Sequence, residues 1–417
     1  MLQRVKGTQD FLDLTIYNFL ITAAKKHLAM YSFTEIMTPI LEPVELFKRS
    51  LGLTTDVVSK EMYTVTTSGH HEETICLRPE ATASIMRAFY ENNIEVRPWK
   101  VFSCGPMFRH ERPQKGRYRQ FNQISIEVLG APSILHDAWL LTMLDRFFHE
   151  VLLLDSYALL INFLGCGQDR AHFQQVLHTF LEMGNDKLCS TCLERKEKNI
   201  LRVFDCKNQA CQELYNRAPK TTDHLCDICS FEWNTFKTLL EQLSVSYSHQ
   251  PRLVRGLDYY TKTVFEFVSD DLGAQNSFCG GGRYDGLAQT LGEPVPLPAV
   301  GAAIGIERLL LMLEKNQHTL KLPQQPAIYA ILPYSSEQQQ LALFIADTLQ
   351  ANNLCVELFL DEDSLKSMMR KANKMGAVAS IIIGPEEQAA GTVTVKNMIT
   401  GAENKIAQTQ LVTFLKQ

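Results

Sequence analysis

Long apolar runs are missing from this sequence. No stretch of the 417 residues offers 18 uninterrupted apolar positions, so a membrane-spanning helix is not expected. The opening Met1-Leu2-Gln3-Arg4-Val5-Lys6-Gly7-Thr8 lacks the apolar core of a secretory leader, which makes a reducing, cytoplasmic setting the expectation. Internal repeats and low-complexity tracts are also missing, which argues against solenoids and disordered scaffolds. A strong charge of one sign is absent too. The 41 Lys and Arg stand against 46 Asp and Glu, a net −5, so the chain is no general nucleic-acid coat. Basic patches must be sought segment by segment.

What is present is a soluble globular composition, 45% apolar and 21% charged, in a chain too long for one ordinary core. Ile16, Phe19, Leu20, Ala23, His27, Leu28 and Tyr31 recur at helical spacing, which predicts an amphipathic helix over 15–30. A short strand, Phe33 to Met37, follows and stops at Pro39. Strands are expected at Ile75–Leu77, Trp99–Phe102 and Gln120–Leu129, and a helix over Ala138–Leu154. Residues 165–245 are Cys-rich, charged and helical and read as an insertion. Strand and turn patterns resume at 253–282, and a helix follows Gly305. Lys315–Gln325, ending in Pro323-Gln324-Gln325-Pro326, reads as a linker. Beyond it, Ile328–Leu332, Cys355–Leu360 and Val378–Ile383 are strands, alternating with helices at Glu337–Gln350 and Ser364–Met375. That alternation predicts a small α/β domain.

Two stretches carry chemistry. Phe108-Arg109-His110-Glu111-Arg112-Pro113-Gln114-Lys115-Gly116-Arg117-Tyr118-Arg119-Gln120-Phe121-Asn122-Gln123 holds five Arg or Lys and one acid within residues 109–119. Pro113 and Gly116 mark a turn between strand-like flanks. A basic hairpin suits phosphate, because the planar Arg fork bonds two phosphate oxygens at once; the plainer reading is a solvated charged turn. In Gly301-Ala302-Ala303-Ile304-Gly305-Ile306-Glu307-Arg308-Leu309-Leu310-Leu311, small residues lead into a helix with Arg308 in its first turn. A cation there opposes the helix dipole and calls for an anionic partner, unless the side chain simply reaches water.

Together, these stretches resemble motifs 2 and 3 of the class II aminoacyl-tRNA synthetases, and the 15–30 helix, the strand after it and Pro39 are similar to motif 1, the dimer-forming element. Leu253-Val254-Arg255-Gly256-Leu257-Asp258-Tyr259-Tyr260-Thr261 and Cys279-Gly280-Gly281-Gly282-Arg283-Tyr284-Asp285-Gly286-Leu287 resemble the two histidine-specific motifs of histidyl-tRNA synthetases. Leu77-Arg78-Pro79-Glu80-Ala81-Thr82 and Lys6-Gly7-Thr8-Gln9-Asp10 fit the same family, so the resemblance runs from about residue 4 to the C-terminus.

The resemblance implies an α+β fold: an antiparallel class II catalytic sheet with helices (1–164 and 246–318), interrupted by a helical insertion (165–245) and followed by an α/β anticodon-binding domain (326–417). It implies ATP-dependent activation of L-histidine and transfer to tRNA(His), with Mg²⁺, in a homodimer. Arg255 and Arg109 are then the catalytic pair. Glu80, Ala81, Thr82, Arg109, Gln123, Glu127, Arg255, Tyr259, Tyr260 and Tyr284 would bind histidine. Arg109, Glu111, Arg117, Phe121 and Arg308 would bind ATP, and Gln114, Lys115 and Arg119 would meet the tRNA acceptor stem. The 326–417 region holds seven Lys and Arg against nine Asp and Glu, so only the resemblance points to RNA there.

Six of the eleven cysteines fall between Cys189 and Cys229. Cys189-x-x-Cys192 and Cys226-x-x-Cys229 have knuckle spacing and suggest a structural zinc site, although 34 positions separate the pairs. Unligated thiols are the alternative. Two other functions fit the outline less well: a non-catalytic histidine sensor built on the same core, and a synthetase for threonine or proline. The first loses arginines, insertion or C-terminal domain that this chain retains; the second lacks the stretches at 253–261 and 279–287.

Overall fold

The computed structural model describes residues 2–53, 55–66, 74–323, 326–361 and 363–416, the Ala274 side chain excepted. Gln324 and Gln325 of the expected linker lie outside them. The chain forms two compact units, 1–322 and 323–417.

The first unit is built on a sheet of eight strands. Six run antiparallel, in the spatial order Trp99–Phe108, Gln120–Leu129, Ala299–Gly305, Ser277–Arg283, Thr261–Val268 and Ala158–Phe163. A two-residue parallel strand closes each edge, Thr34–Glu35 on one side and Ser248–His249 on the other. Such short edges leave little ladder for another chain to extend.

Side chains alternate across a strand, and in Gln120–Leu129 that alternation separates two environments. Ile124, Ile126 and Val128 join a core built with the helices Thr15–Met30, Leu135–Arg146, Asp227–Gln242 and Ile306–Lys315. Phe121, Gln123, Ser125 and Glu127 face the opposite side and line a cleft. That second face is covered by Val44–Leu51 and Thr82–Glu91, with Phe47, Ile85, Met86 and Phe89 fully or almost fully buried.

Arg283 is a strut beneath the sheet. Its wholly buried guanidinium meets the Asp137 carboxylate and the carbonyls of Ala131 and Ser133 at 2.7 and 3.0 Å. A buried Arg is tolerable only with its donors so satisfied.

Between Cys166 and Val245 the chain divides. Phe173, Leu177, Leu181, Val203 and Tyr215 make a small core of their own. The helix Asp227–Gln242 instead packs Trp233, Phe236 and Leu240, one apolar stripe, into the main core.

The second unit carries five strands, ordered Cys355–Leu358, Ile328–Pro333, Ala379–Ile383, Thr392–Asn397 and Glu403–Ala407. The first three are parallel and the last two antiparallel. Ile331, Ile381, Val393 and Leu349 are its buried centre.

Candidate active site

The cleft on the open face of the main sheet measures about 310 Å³ and lies wholly within the first unit. Its floor is made of small residues. Gly301, Ala303 and Gly305 on one strand and Gly280 on the next line it, so side chains arriving from the neighbours find room.

Glu127 occupies one end. It is buried, and its carboxylate accepts hydrogen bonds from the Thr82 hydroxyl at 2.7 Å and from the Tyr284 hydroxyl. Burial pushes this carboxyl up to about 8, against the pull of the Tyr284 and Thr82 hydroxyls. Gly301 is its register partner on the adjacent strand. A Cβ at 301 would fall on a Glu127 carboxylate oxygen, so glycine is required for the carboxylate to sit there. Tyr259 and Tyr260, ring centres 4.6 Å apart, and Tyr284 complete an aromatic wall.

Glu80 is buried beside them. Its two oxygens accept the amides of Thr82 and Ala83 at 2.7 and 2.9 Å, capping the Thr82–Glu91 helix. Burial raises its pKa, and those hydrogen bonds and Arg109 oppose the rise. Ala81 is buried at the same corner, and Gln123 lines the same cleft from the sheet.

Cations line the rest. Arg109 donates Nε to the Pro79 carbonyl at 2.9 Å and lies over the Phe121 ring, 5.5 Å from its centre. Arg255 enters from the 253–260 loop. It passes over Gly280, where a Cβ would come within 2.6 Å of its guanidinium nitrogens, and pairs with Glu266. Its pKa is raised, Glu266 and the neighbouring tyrosines outweighing the opposing effect of burial. Arg308 reaches the Gly116 carbonyl with Nε at 3.0 Å and the Ser277 carbonyl with Nη1. Burial first, then repulsion from Arg117 and Arg109, pulls it down to about 10. Three mutually repelling guanidinium groups around one cleft favour an anion between them.

The basic hairpin rises at the rim. Gln114 and Arg117 exchange backbone hydrogen bonds at 2.9 and 3.1 Å around Lys115-Gly116, and Gly116 turns at φ 71°, a left-handed conformation that favours glycine. Gln114 and Lys115 are exposed at the tip. Glu111 and Arg117 pair with one another below it.

Arg119 sits at the base of the hairpin: it donates to the carbonyls of Glu111 and Lys6 at 3.2 and 3.3 Å, and Gly7 packs on its stem. It ties the hairpin base to the N-terminal segment. One expectation needs correction. The cysteines Cys189, Cys192, Cys226 and Cys229 do not converge. Cys189 and Cys192 gather with Cys206 and Cys211, whereas Cys226 and Cys229 lie with Cys166 and Asp169. The two pairs belong to different cores, which spacing alone does not reveal.

Sequence reasoning also missed Glu266, Gly301 as the seat of Glu127, and Gly280 as the seat of Arg255. A run of three glycines inside a strand was the available signal, since it marks close approach by another group.

A family model described as "Histidyl-tRNA synthetase" matches residues 19–309, and one described as "Anticodon binding domain" matches residues 329–417. The chain belongs to the histidyl-tRNA synthetase family. The histidine–tRNA ligase of Solidesulfovibrio magneticus is 42% identical over 420 residues, which span 100% of this chain and 97% of that protein. That of Clostridioides difficile is 40% identical over 416 residues, spanning 99% and 98%. The crystal structure of an S. aureus histidyl-tRNA synthetase has a TM-score of 0.81 at 30% identity, with both chains covered in full. Family membership puts the class II antiparallel sheet, the cleft on its face and the C-terminal anticodon-binding unit in one scheme. No described helix is long and apolar enough to cross a membrane.

Proposed function

We propose that this chain activates L-histidine with ATP and transfers it to tRNA(His). A cleft holding the buried Glu127 carboxylate among tyrosines, with Glu80 beside it, and Arg109, Arg255, Arg308 and Arg117 along the rest carries this reading, because it suits a small cationic or neutral ring beside a polyphosphate.

In the first step a histidine carboxylate oxygen attacks the α-phosphorus of ATP. The new P–O bond replaces the bond to pyrophosphate, which leaves. Two anions must meet, so positioning and cations supply most of the rate. Arg109 and Arg255 bridge the carboxylate and α-phosphate, Arg308 and Arg117 hold the far phosphates, and Phe121 stacks on adenine, with Glu111 fixing Arg117. Glu80, Thr82 and Gln123 accept from the histidine ammonium. Glu127, held by Tyr284, and Tyr260 meet the imidazole nitrogens, with Tyr259 and Ala81 as walls. An amino acid without ring nitrogens leaves those groups unpaired, which discriminates strongly. In the second step the 3′-terminal hydroxyl of the tRNA attacks the adenylate carbonyl and AMP leaves.

The cleft suits a Mg²⁺ carried on ATP better than one caged by protein. Several carboxylates in and beside it are already engaged: Glu266 by Arg255, Glu111 by Arg117, and Glu307 by the Asn122 amide and side chain at 2.8 to 3.0 Å. The ion would neutralise the terminal phosphates.

The hairpin tip, with Gln114 and Lys115, would face the acceptor stem. A homodimer is supported by the exposed Leu12, Met37, Ile40 and Leu41, which flank the 15–30 helix in sequence, since exposed apolar groups of this size are of the kind that partners cover.

ATP–pyrophosphate exchange across the twenty amino acids tests the reading. Exchange dependent on histidine and Mg²⁺ is expected. Comparable exchange with threonine or proline, or none at all as for a histidine sensor, would overturn it.

A further inference from the structure

We propose that Cys189, Cys192, Cys206 and Cys211 hold one zinc ion as a tetrahedral tetrathiolate site inside the insertion. The four sulfurs lie within 4.8 Å of one another. Three of the cysteines are buried and Cys189 is half-buried. Cys189 and Cys206 are 3.8 Å apart. A tetrahedron with Zn–S bonds of about 2.3 Å has an edge of about 3.8 Å, whereas a disulfide requires about 2.05 Å. All four are free thiols.

Their environment suits thiolate sulfur. The Asn208 amide donates to Cys206 Sγ at 3.4 Å, and the Cys189 amide to Cys211 Sγ at 3.3 Å. Among the described residues the buried Tyr215 hydroxyl is otherwise without a partner, and it lies beside Cys192. Among the same residues, four neutral thiols would find only one weak carbonyl acceptor, Lys187 at 3.8 Å from Cys211 Sγ. The spacing agrees as well. Cys-x2-Cys and Cys-x4-Cys, separated by residues 193–205, are each pairs of zinc-ligand spacing. An all-sulfur tetrahedral set selects zinc or iron over harder ions.

The neighbouring group of Cys166, Asp169, Cys226 and Cys229 differs. Both Asp169 oxygens accept backbone amides, from Cys166 at 3.1 Å and Cys226 at 2.9 Å, so that carboxylate is committed to capping.

The ion would bind three pieces of chain: the start of the Ser190–Lys198 helix, the end of the Ile200–Asp205 turn, and the Gln209–Tyr215 helix. Between them lie Asn199 and Arg202, which donate to the Asp258 carboxylate at 2.8 Å and the Gly256 carbonyl at 2.6 Å. The site therefore braces the loop that carries Arg255.

The test is metal content of the full-length chain after saturation with zinc and removal of loose metal. About one zinc per chain is expected, with near-complete loss in Cys206→Ser and retention in Cys226→Ser. Because Cys206→Ser can misfold, the wild-type chain is also loaded with cobalt, whose spectrum must show tetrahedral, all-thiolate coordination. Limited proteolysis should cut metal-stripped wild type within 185–215 at least tenfold faster than loaded protein. A wild-type chain that keeps no zinc, bound iron in its place, zinc retained by Cys206→Ser, or zinc lost only in Cys226→Ser would each overturn the assignment.

Discussion

Replacing Glu127 by Gln tests the histidine end of the cleft. The substitution keeps the volume between Gly301 and the Tyr284 hydroxyl but removes the charge. A hydrogen bond involving a charged group contributes about 1.5–3 kcal/mol, so histidine affinity should fall about 10- to 150-fold, with the KM for ATP unchanged. The pH dependence is more specific. The free imidazole titrates near 6.5, and Glu127 near 8 when the site is empty. A bound complex that shares one proton between ring and carboxyl must release a proton below about 6.5 and take one up above about 8. Affinity should therefore peak between those values and drop up to tenfold per pH unit on either side. In Glu127→Gln the alkaline fall due to this carboxyl should vanish, leaving only what the substrate ammonium contributes to both proteins. Folding carries the matching sign. The carboxyl is raised from 4.5 to about 8 in the fold, so between those values the folded chain keeps a proton that the unfolded chain has lost. The stabilisation is full below 4.5 and is lost as pH rises through 8. The Tm of the unliganded variant should accordingly decline less from pH 5 to 8 than that of wild type. Histidine KM and Tm measured on both proteins from pH 5.5 to 9 decide the matter. An unchanged alkaline limb, or a rise in the KM for ATP alone, would refute this account of Glu127.

Arg255→Ala should slow single-turnover adenylation on the order of 100-fold or more while weakening histidine binding far less; Arg255→Ala combined with Glu266→Gln avoids leaving the half-buried Glu266 carboxylate without its cation and should show the same loss. Histidine tRNAs resemble one another in an extra guanosine at the 5′ end; Gln114→Ala should impair charging of tRNA(His) that carries it more than tRNA lacking it, whereas Lys115→Ala should weaken both and flatten the salt dependence; equal effects of Gln114→Ala on the two tRNAs would remove the tip as a reader. Arg283→Met leaves Asp137 buried without its partner and should cost about 3–5 kcal/mol, visible as a lowered denaturation midpoint, with pyrophosphate exchange per folded molecule little changed. Sedimentation at micromolar concentration should show a dimer, and Met37→Asp should shift it toward monomer.

Much of the first unit was legible because its signals are local. The helix at Thr15–Met30 and the strand at Gln120–Leu129 follow from apolar spacing alone, and the polar residues alternating with Ile124, Ile126 and Val128 point at the cleft. The motifs around Arg109, Arg255 and Arg308 identified the cations that the fold brings to one place. What was not legible depends on partners distant in sequence. Gly301 makes sense only once its register with Glu127 is known, and Gly280 only once Arg255 crosses it. Cysteine spacing proposed four ligands but could not say which pairs share a core. Glu403–Ala407, mostly exposed, carries too little apolar patterning to stand out as a strand.

The fit of Glu127 against Gly301 also limits how this pocket can drift. Any side chain arriving at 301 evicts the carboxylate, and the backbone there cannot retreat, because the sheet continues on both sides. The two positions are therefore locked to one another across 174 residues of chain (301 − 127). A lineage seeking a different amino acid here would have to cross an intermediate that binds neither substrate well.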